Sequence, residues 1–401
     1  MGQPDELRAL ARLGFEELGA AMSGIGGVHK GISQRVFKAV GPQGAAVRVV
    51  HDGISDGVYS GLQAASRAFG TGADALLGRR EVEDGRSLST DPRGALALAA
   101  LNGLIGDRLE REGSPLHVPL AIRRKGRPVP AEPEAVAKAF PDATPHIVVF
   151  LHGLMETEHA WRYGGEETYG ARLKRDVGAT PVEVRYNTGR HVSENGRSLA
   201  DELEALVAAW PARVDRIALV GHSMGGLVAR SACHQAAERG DRWVRKVRHV
   251  VSLGTPHMGA PLEEAVHVVA AGLTALPETR PFGNFLRRRS AGIRDLRQGS
   301  LVDADWRDCD PDALRARACE EVPLLEGATH CFVSATVTRE AGHPVGRLFG
   351  DCLVLVPSAS GRSRTRRIGF RDEDGLHVGG ASHFALLRHP RVYEQLKTWL
   401  A

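Results

Sequence analysis

From about residue 115 onward, short and nearly unbroken apolar runs alternate with longer stretches in which apolar residues return every three or four positions. An unbroken run fits a strand buried on both faces, and the wider spacing fits a helix that covers it. Strands are predicted at 116–122, 127–129, 146–151, 181–186, 217–220, 247–253 and 330–337, with a helix at 198–210. This alternation implies an α/β chain with a mostly parallel, doubly wound sheet. Its functional loops would gather at the carboxyl ends of the strands.

Residues 1–113 carry a different pattern. Ile25, Val28, Ile32 and Val36 recur at helical spacing, as do Val58, Leu62, Ala65, Phe69, Ala73 and Leu76, and Asp91-Pro92 ahead of Leu98, Leu101, Ile105 and Leu109 reads as a capped helix. An N-terminal helical region over 1–113 is therefore expected before a catalytic domain over 114–401. Within that domain, about 257–329 forms an insertion suited to a cap or lid, with Leu262, Val266, Val269 and Leu273 at helical spacing and Arg287, Arg288 and Arg289 behind them. Both segments have a plain and a sharper reading. The plain one is a helical buttress with a solvated arginine face, and the sharper one is peripheral contact with an anionic membrane surface.

The segment 217–229 holds an apolar strand, the turn Gly221-His222-Ser223-Met224-Gly225, and a helix opened by Gly226. A G-x-S-x-G turn between strand and helix lifts the serine hydroxyl above the sheet, in a backbone so crowded that its neighbours must be small. Ser223 is the expected nucleophile. The apolar run at 146–151 ends in His152-Gly153-Leu154, where such a sheet presents one backbone amide to complement that of the residue after the nucleophile. Leu154 and Met224 are thus the expected oxyanion donors, acting through their N–H groups. His152 is read as structural.

An acid and a histidine must follow the serine in that order. Asp351, in a glycine turn before an apolar segment, is preferred over Asp372, Glu373 and Asp374, which sit beside arginines in a polar stretch. His383, on a loop leading into a helix, is the first choice of base and His377 the second, while His389 before Pro390 reads as a helix start. The segment Tyr186 to His191 follows a strand and borders the expected pocket, with His191 structural or substrate-adjacent.

As a set, His152-Gly153-Leu154, Gly221 to Gly226, Gly254-Thr255-Pro256-His257-Met258-Gly259, Gly350 to Val354 and Ser382-His383-Phe384 resemble the lipase and esterase branch of the α/β-hydrolase superfamily. Within that branch the chain is similar to bacterial triacylglycerol-lipase-like proteins and to the GPI inositol-deacylase-like hydrolase domain. It covers 115–401 and implies an α/β-hydrolase fold and hydrolysis of carboxylic esters, small-molecule or lipid, without a cofactor. In such lipases a G/N-D-G-L-V segment carries the acid, so Asp351 inherits that role, with Cys352 standing where the pattern has glycine. The resemblance also supports His383 as base. Acyl transfer or thioester cleavage at the same site, and a catalytically silent lipid- or protein-binding module, are the other readings.

Composition narrows the partners. A hydrophobic content of 42% supplies a real core, and a net charge of +4 over 401 residues is too mild to imply nucleic-acid binding. No H-E-x-x-H, C-x-x-C pair, Walker loop or G-x-G-x-x-G after a strand occurs, so neither a metal nor a nucleotide cofactor is expected. Cys233, Cys309, Cys319, Cys331 and Cys352 are odd in number and read as buried thiols of a reducing compartment, without a Cys309–Cys319 bridge. The first residues lack a basic segment leading into an apolar core, and no run reaches the roughly 18 apolar residues of a spanning helix. A cytoplasmic location is the expectation, and the oligomeric state is open.

Overall fold

The computed structural model describes residues 6, 87–163, 167–260, 289–310, 319–340, 342–363 and 366–401. The helices expected at 25–36 and 58–76, the apolar stripe at 262–273, and Arg287 and Arg288 lie outside them. Strands β1 (Ala121–Arg124), β2 (Arg127–Pro128), β3 (His146–Leu151), β4 (Thr180–Arg185), β5 (Arg216–His222), β6 (Val247–Leu253), β7 (Thr329–Thr336) and β8 (Gly375–Gly379) form one sheet in the order β2-β1-β4-β3-β5-β6-β7-β8. From β4 to β8 every neighbouring pair is parallel. β1 runs antiparallel to both β2 and β4.

Among the described residues the helices are α1 (Pro92–Arg111), α2 (Pro133–Ala139), α3 (Tyr169–Val177), α4 (Val192–Ala209), α5 (Met224–Arg239), α6 (Ala291–Asp295), α7 (Pro344–Phe349), α8 (Val356–Ala359) and α9 (Pro390–Leu400). Successive side chains of a strand point to opposite faces, which is why an unbroken apolar run needs cover on both. In β3, Ile147, Val149 and Leu151 join a cluster with Leu199, Leu203 and Leu206 of α4 and Leu227 and Val228 of α5. Val148 and Phe150 join a second cluster with Tyr169 and Leu173 of α3 and Leu396 and Leu400 of α9. Each such side chain, once buried, contributes about 1.5–3 kcal/mol, so the sheet is held from both sides.

Two expected elements shift. The strand predicted from 116 begins only at Ala121. Leu116 and Val118 pack instead against Leu98, Leu101 and Leu109 of α1. There the Asn102 side chain donates to the Leu116 carbonyl (2.8 Å) and accepts the Val118 N–H (3.0 Å). Backbone groups satisfied by a side chain need no sheet neighbour. The helix predicted from 198 starts earlier, at Val192, where the Glu194 carboxylate accepts the His191 N–H (3.2 Å), one half of a capping box.

α1 is capped as its sequence predicts, with Asp91 Oδ2 accepting the Gly94 N–H (2.8 Å). Its apolar stripe is used inside the fold, and its small residues seat it on the loop after β4 and on the residue that opens α6. Asn187 Nδ2 donates to the Gly106 carbonyl (2.9 Å) and Ser290 Oγ to the Gly103 carbonyl (2.6 Å). A Cβ on Gly189 would stand 2.0 Å from the Asn102 carbonyl oxygen, so the approach of this loop to α1 requires glycine. Arg289, expected on a solvated face, is buried. The cysteines are free thiols, of which Cys233 and Cys331 are buried and Cys309, Cys319 and Cys352 only partly so. Among the described residues no helix is long and apolar enough to cross a membrane.

Candidate active site

β5 ends at His222 and α5 begins at Met224, leaving Ser223 alone in the turn at φ 53° and ψ −123°. An L-residue held in so sparsely populated a region costs on the order of 1–3 kcal/mol. Neighbouring bonds enforce it: the Ser223 N–H donates to the Leu253 carbonyl (2.8 Å), and the Gly226 N–H to the Ser223 carbonyl (3.1 Å). A Cβ on Gly221 would lie 2.4 Å from the Gly225 carbonyl carbon, and one on Gly225 would lie 2.4 Å from the Leu151 oxygen, so the turn closes only with glycine at both places. Ser223 is partly exposed while His222 and Met224 are buried. One hydroxyl is thereby raised from a closed floor, at the amino end of α5.

The turn after β3 accounts for its amides one by one. Gly153 N–H donates to Glu156 Oε2 (2.7 Å), Met155 N–H to Thr188 Oγ1 (3.2 Å), and Glu156 N–H to the Gly153 carbonyl (3.2 Å). The Leu154 N–H has no partner among the described residues. The Met224 N–H, at the first position of α5, has none there either. A backbone donor left open in a folded chain calls for a partner from outside it. These are the two amides expected as oxyanion donors. Gly153 ties them to the serine, since a Cβ there would stand 3.0 Å from Ser223 Cβ.

Asp351 and His383 meet although 32 residues separate them. His383 Nδ1 lies 2.8 Å from Asp351 Oδ2, and the His383 N–H donates to the Asp351 carbonyl (2.9 Å). Asp351 Oδ1 accepts the N–H groups of Leu353 (3.0 Å) and Val354 (2.8 Å), which fixes the carboxylate plane. Both residues are buried. Burial works against the charged imidazole of His383, yet the charge and hydrogen bond of Asp351, with a further contribution from Glu156, carry its pKa above the ordinary value. The ring lies over Gly254, where a Cβ would stand 3.1 Å from both Cε1 and Nδ1, next to the Leu253 carbonyl that anchors Ser223. Cys352 sits at φ 87°, a glycine-like backbone carried by a residue with a side chain.

The rival residues have other partners. His377 on β8 directs Nδ1 at Ser334 Oγ (3.0 Å) and Nε2 at Thr336 Oγ1 (3.2 Å). His389 caps α9 by accepting the Arg391 N–H (3.2 Å). Asp372 pairs with Arg362, and Glu373 and Asp374 pair with Arg371. His191 stacks on Trp306 at 3.7 Å and lies 3.0 Å from Asp295, joining α4 to the segment after β6. His152 is structural in its contacts. Its Nδ1–H donates to the Gly153 carbonyl (2.9 Å), its Nε2 accepts the Tyr186 N–H (3.3 Å), and burial pulls its pKa down to about 4.

Sequence reasoning passed over Glu156. Its Oε2 reaches His222 Nδ1 (3.1 Å) as well as Gly153, and contact with His222 and the Gly153 amide outweighs burial to hold its pKa below the usual carboxylate value. A carboxylate shortly after a strand-end turn also suits a helix start, so only the fold distinguishes it. Among the described residues no group of His, Cys, Asp and Glu is arranged to hold a metal ion.

Residues 141–286 match the sequence family described as "Putative serine esterase (DUF676)". No curated protein matches the chain. Among solved structures, the mature lipase BlEst2 of Bacillus licheniformis is similar at 19% identity and TM-score 0.41, covering 71% of this chain and 99% of that one. RedJ, a thioesterase from the prodiginine pathway of Streptomyces coelicolor, is similar at 21% identity and TM-score 0.34 over 65% of this chain and 92% of its own. The naproxen esterase of Bacillus subtilis is similar at 16% identity and TM-score 0.37, over 64% and 84%. The strand order and the strained serine turn at the end of β5 give this chain a mostly parallel α/β fold, and its segment 141–286 is similar to a family of putative serine esterases.

Proposed function

We propose that the chain hydrolyses carboxylic esters through an acyl-enzyme. Ser223 attacks the ester carbonyl while His383 accepts its proton, Asp351 orients the imidazole and stabilises its charged form, and the Leu154 and Met224 amides bind the oxyanion. The same histidine returns the proton to the leaving alcohol. Water then attacks the acyl-enzyme by the reverse route, regenerating Ser223. The observation that carries this reading is the pair of unpartnered amides, Leu154 and Met224, flanking a serine held at positive φ. Donors prepared for a charge that forms only during reaction lower the barrier without tightening substrate binding. The substrate class is small-molecule or lipid esters.

A fluorophosphonate probe and a p-nitrophenyl ester series test it. Ser223→Ala should abolish labelling and turnover, with turnover falling by a factor on the order of 10⁶, while the variant folds, since only a hydroxyl is lost. Retained turnover in the folded variant would refute the assignment.

A further inference from the structure

Glu156 stands where the three parts of the site meet. Its Oε2 accepts the Gly153 N–H (2.7 Å) and lies 3.1 Å from His222 Nδ1. His222, the residue before Ser223, directs its other ring nitrogen at the His383 carbonyl (3.3 Å), and its ring lies 4.7 Å from that of His383. One carboxylate oxygen therefore links the turn of Leu154, the strand end that leads into Ser223, and the loop of His383. We propose that Glu156 is a positioning residue for ester hydrolysis, locking the Leu154 amide toward the nucleophile turn and bracing the His383 loop through His222. This rests on the reading of Ser223, His383 and Leu154 given above.

The argument runs through the peptide planes. The Leu154 N–H belongs to the same planar unit as the Gly153 carbonyl and points the opposite way. That carbonyl is held by His152 Nδ1–H (2.9 Å) and by the Glu156 N–H (3.2 Å). The preceding peptide is held at its N–H by the Glu156 carboxylate. Glycine at 153 offers no side chain to restrict rotation about these planes, so the direction of the Leu154 N–H depends on these three bonds, of which the Glu156 side chain supplies the one that holds the preceding plane. Met155 at φ 59° shows that the turn is not relaxed by its own preferences. A carboxylate suits the task because hydrogen bonds to an ionised acceptor are about twice as strong as neutral ones.

An oxyanion donor acts in the transition state, so its loss lowers kcat rather than raising KM. Glu156→Ala, Glu156→Gln and His222→Ala would be assayed on p-nitrophenyl butyrate, with rates expressed per serine titrated by fluorophosphonate. Glu156→Ala should lower kcat by about 10²-fold with KM nearly unchanged. Affinity for a trifluoromethyl ketone, which forms a tetrahedral adduct, should fall by a similar factor. Glu156→Gln keeps an oxygen to accept the Gly153 N–H and should recover most of the loss. The double variant Glu156→Ala with His222→Ala should be little worse than Glu156→Ala alone, because the link is already broken. Wild-type kcat and ketone affinity in Glu156→Ala, or equal losses in the alanine and glutamine variants, would overturn the proposal. If Glu156→Ala does not fold, His222→Ala should itself lower kcat by breaking the brace to the His383 loop, and wild-type kcat in that variant overturns the proposal. A wild-type protein with no titratable serine would instead defeat the parent reading.

Discussion

Replacing Asp351 by asparagine tests the acid more sharply than removing it. The Oδ1 contacts to Leu353 (3.0 Å) and Val354 (2.8 Å) can survive, because an amide oxygen accepts as a carboxylate oxygen does. The loop should therefore keep its shape. The other position, 2.8 Å from His383 Nδ1, changes from acceptor to N–H donor. His383 then turns to the tautomer with Nδ1 bare and Nε2 protonated, and a protonated Nε2 cannot take the serine proton. By analogy with the buried aspartate of a serine-protease triad, kcat should fall on the order of 10⁴-fold, a barrier increase of about 5.4 kcal/mol. The pH profile supplies an independent readout. In the wild type Asp351 and Glu156 raise the His383 pKa against burial, so kcat/KM should fall as pH drops through a value above that of an ordinary histidine. Removing the Asp351 charge leaves burial more weakly opposed, and the acid limb should move to lower pH. Stopped-flow or long-time ester assays from pH 4.5 to 8.5, with circular dichroism to check folding, give both numbers. A folded variant with near-wild-type kcat, or an acid limb that stays in place, would refute the role given to Asp351.

Other consequences are more local. His377→Ala should leave kcat almost unchanged and cost about 1 kcal/mol of stability through its lost contacts to Ser334 and Thr336, and Asp372→Asn should leave ester turnover unaltered; a large loss of kcat in either would reassign the site. Cys352→Gly should raise stability in urea by about 1 kcal/mol, because φ 87° strains any residue with a Cβ, and a lower unfolding midpoint would contradict that. Burial pulls His146 and His152 to about 4 and His330 to about 3, against an ordinary value of 6.5. Between these values the unfolded chain binds protons that the folded chain excludes. Their stabilising contribution is therefore present above about pH 6.5 and is lost as pH falls toward 4, at up to about 1.4 kcal/mol per pH unit for each histidine. Urea midpoints at pH 7 and pH 5 check this, and equal midpoints would count against it.

The hydrophobic pattern made a mostly parallel α/β sheet legible, and the motif at 221–225 placed Ser223 in a turn between strand and helix. Apolar runs such as 146–151 can be buried only between two layers, and a G-x-S-x-G turn between strand and helix leaves its serine one backbone conformation. The order of Ser223, Asp351 and His383 was also legible, since chain order is a property of sequence. What depends on contacts between distant segments was not. Leu116 and Val118 have strand-forming side chains, yet Asn102 of α1 satisfies their backbone first. The apolar stripe of α1 reads equally as a lipid-facing or a buried surface, and only its packing against Leu116 and Val118, with Gly103 and Gly106 seated on Ser290 and Asn187, decides between them. His377 and His383 are equivalent as residue types. They differ in what lies 3 Å away, two hydroxyls for one and a carboxylate for the other. Glu156 left no periodic trace because its contacts are with Gly153, three residues behind it, and with His222, 66 residues ahead. Hydrophobic pattern encodes which side of an element is buried; which polar atoms meet is settled only when the chain has closed upon itself.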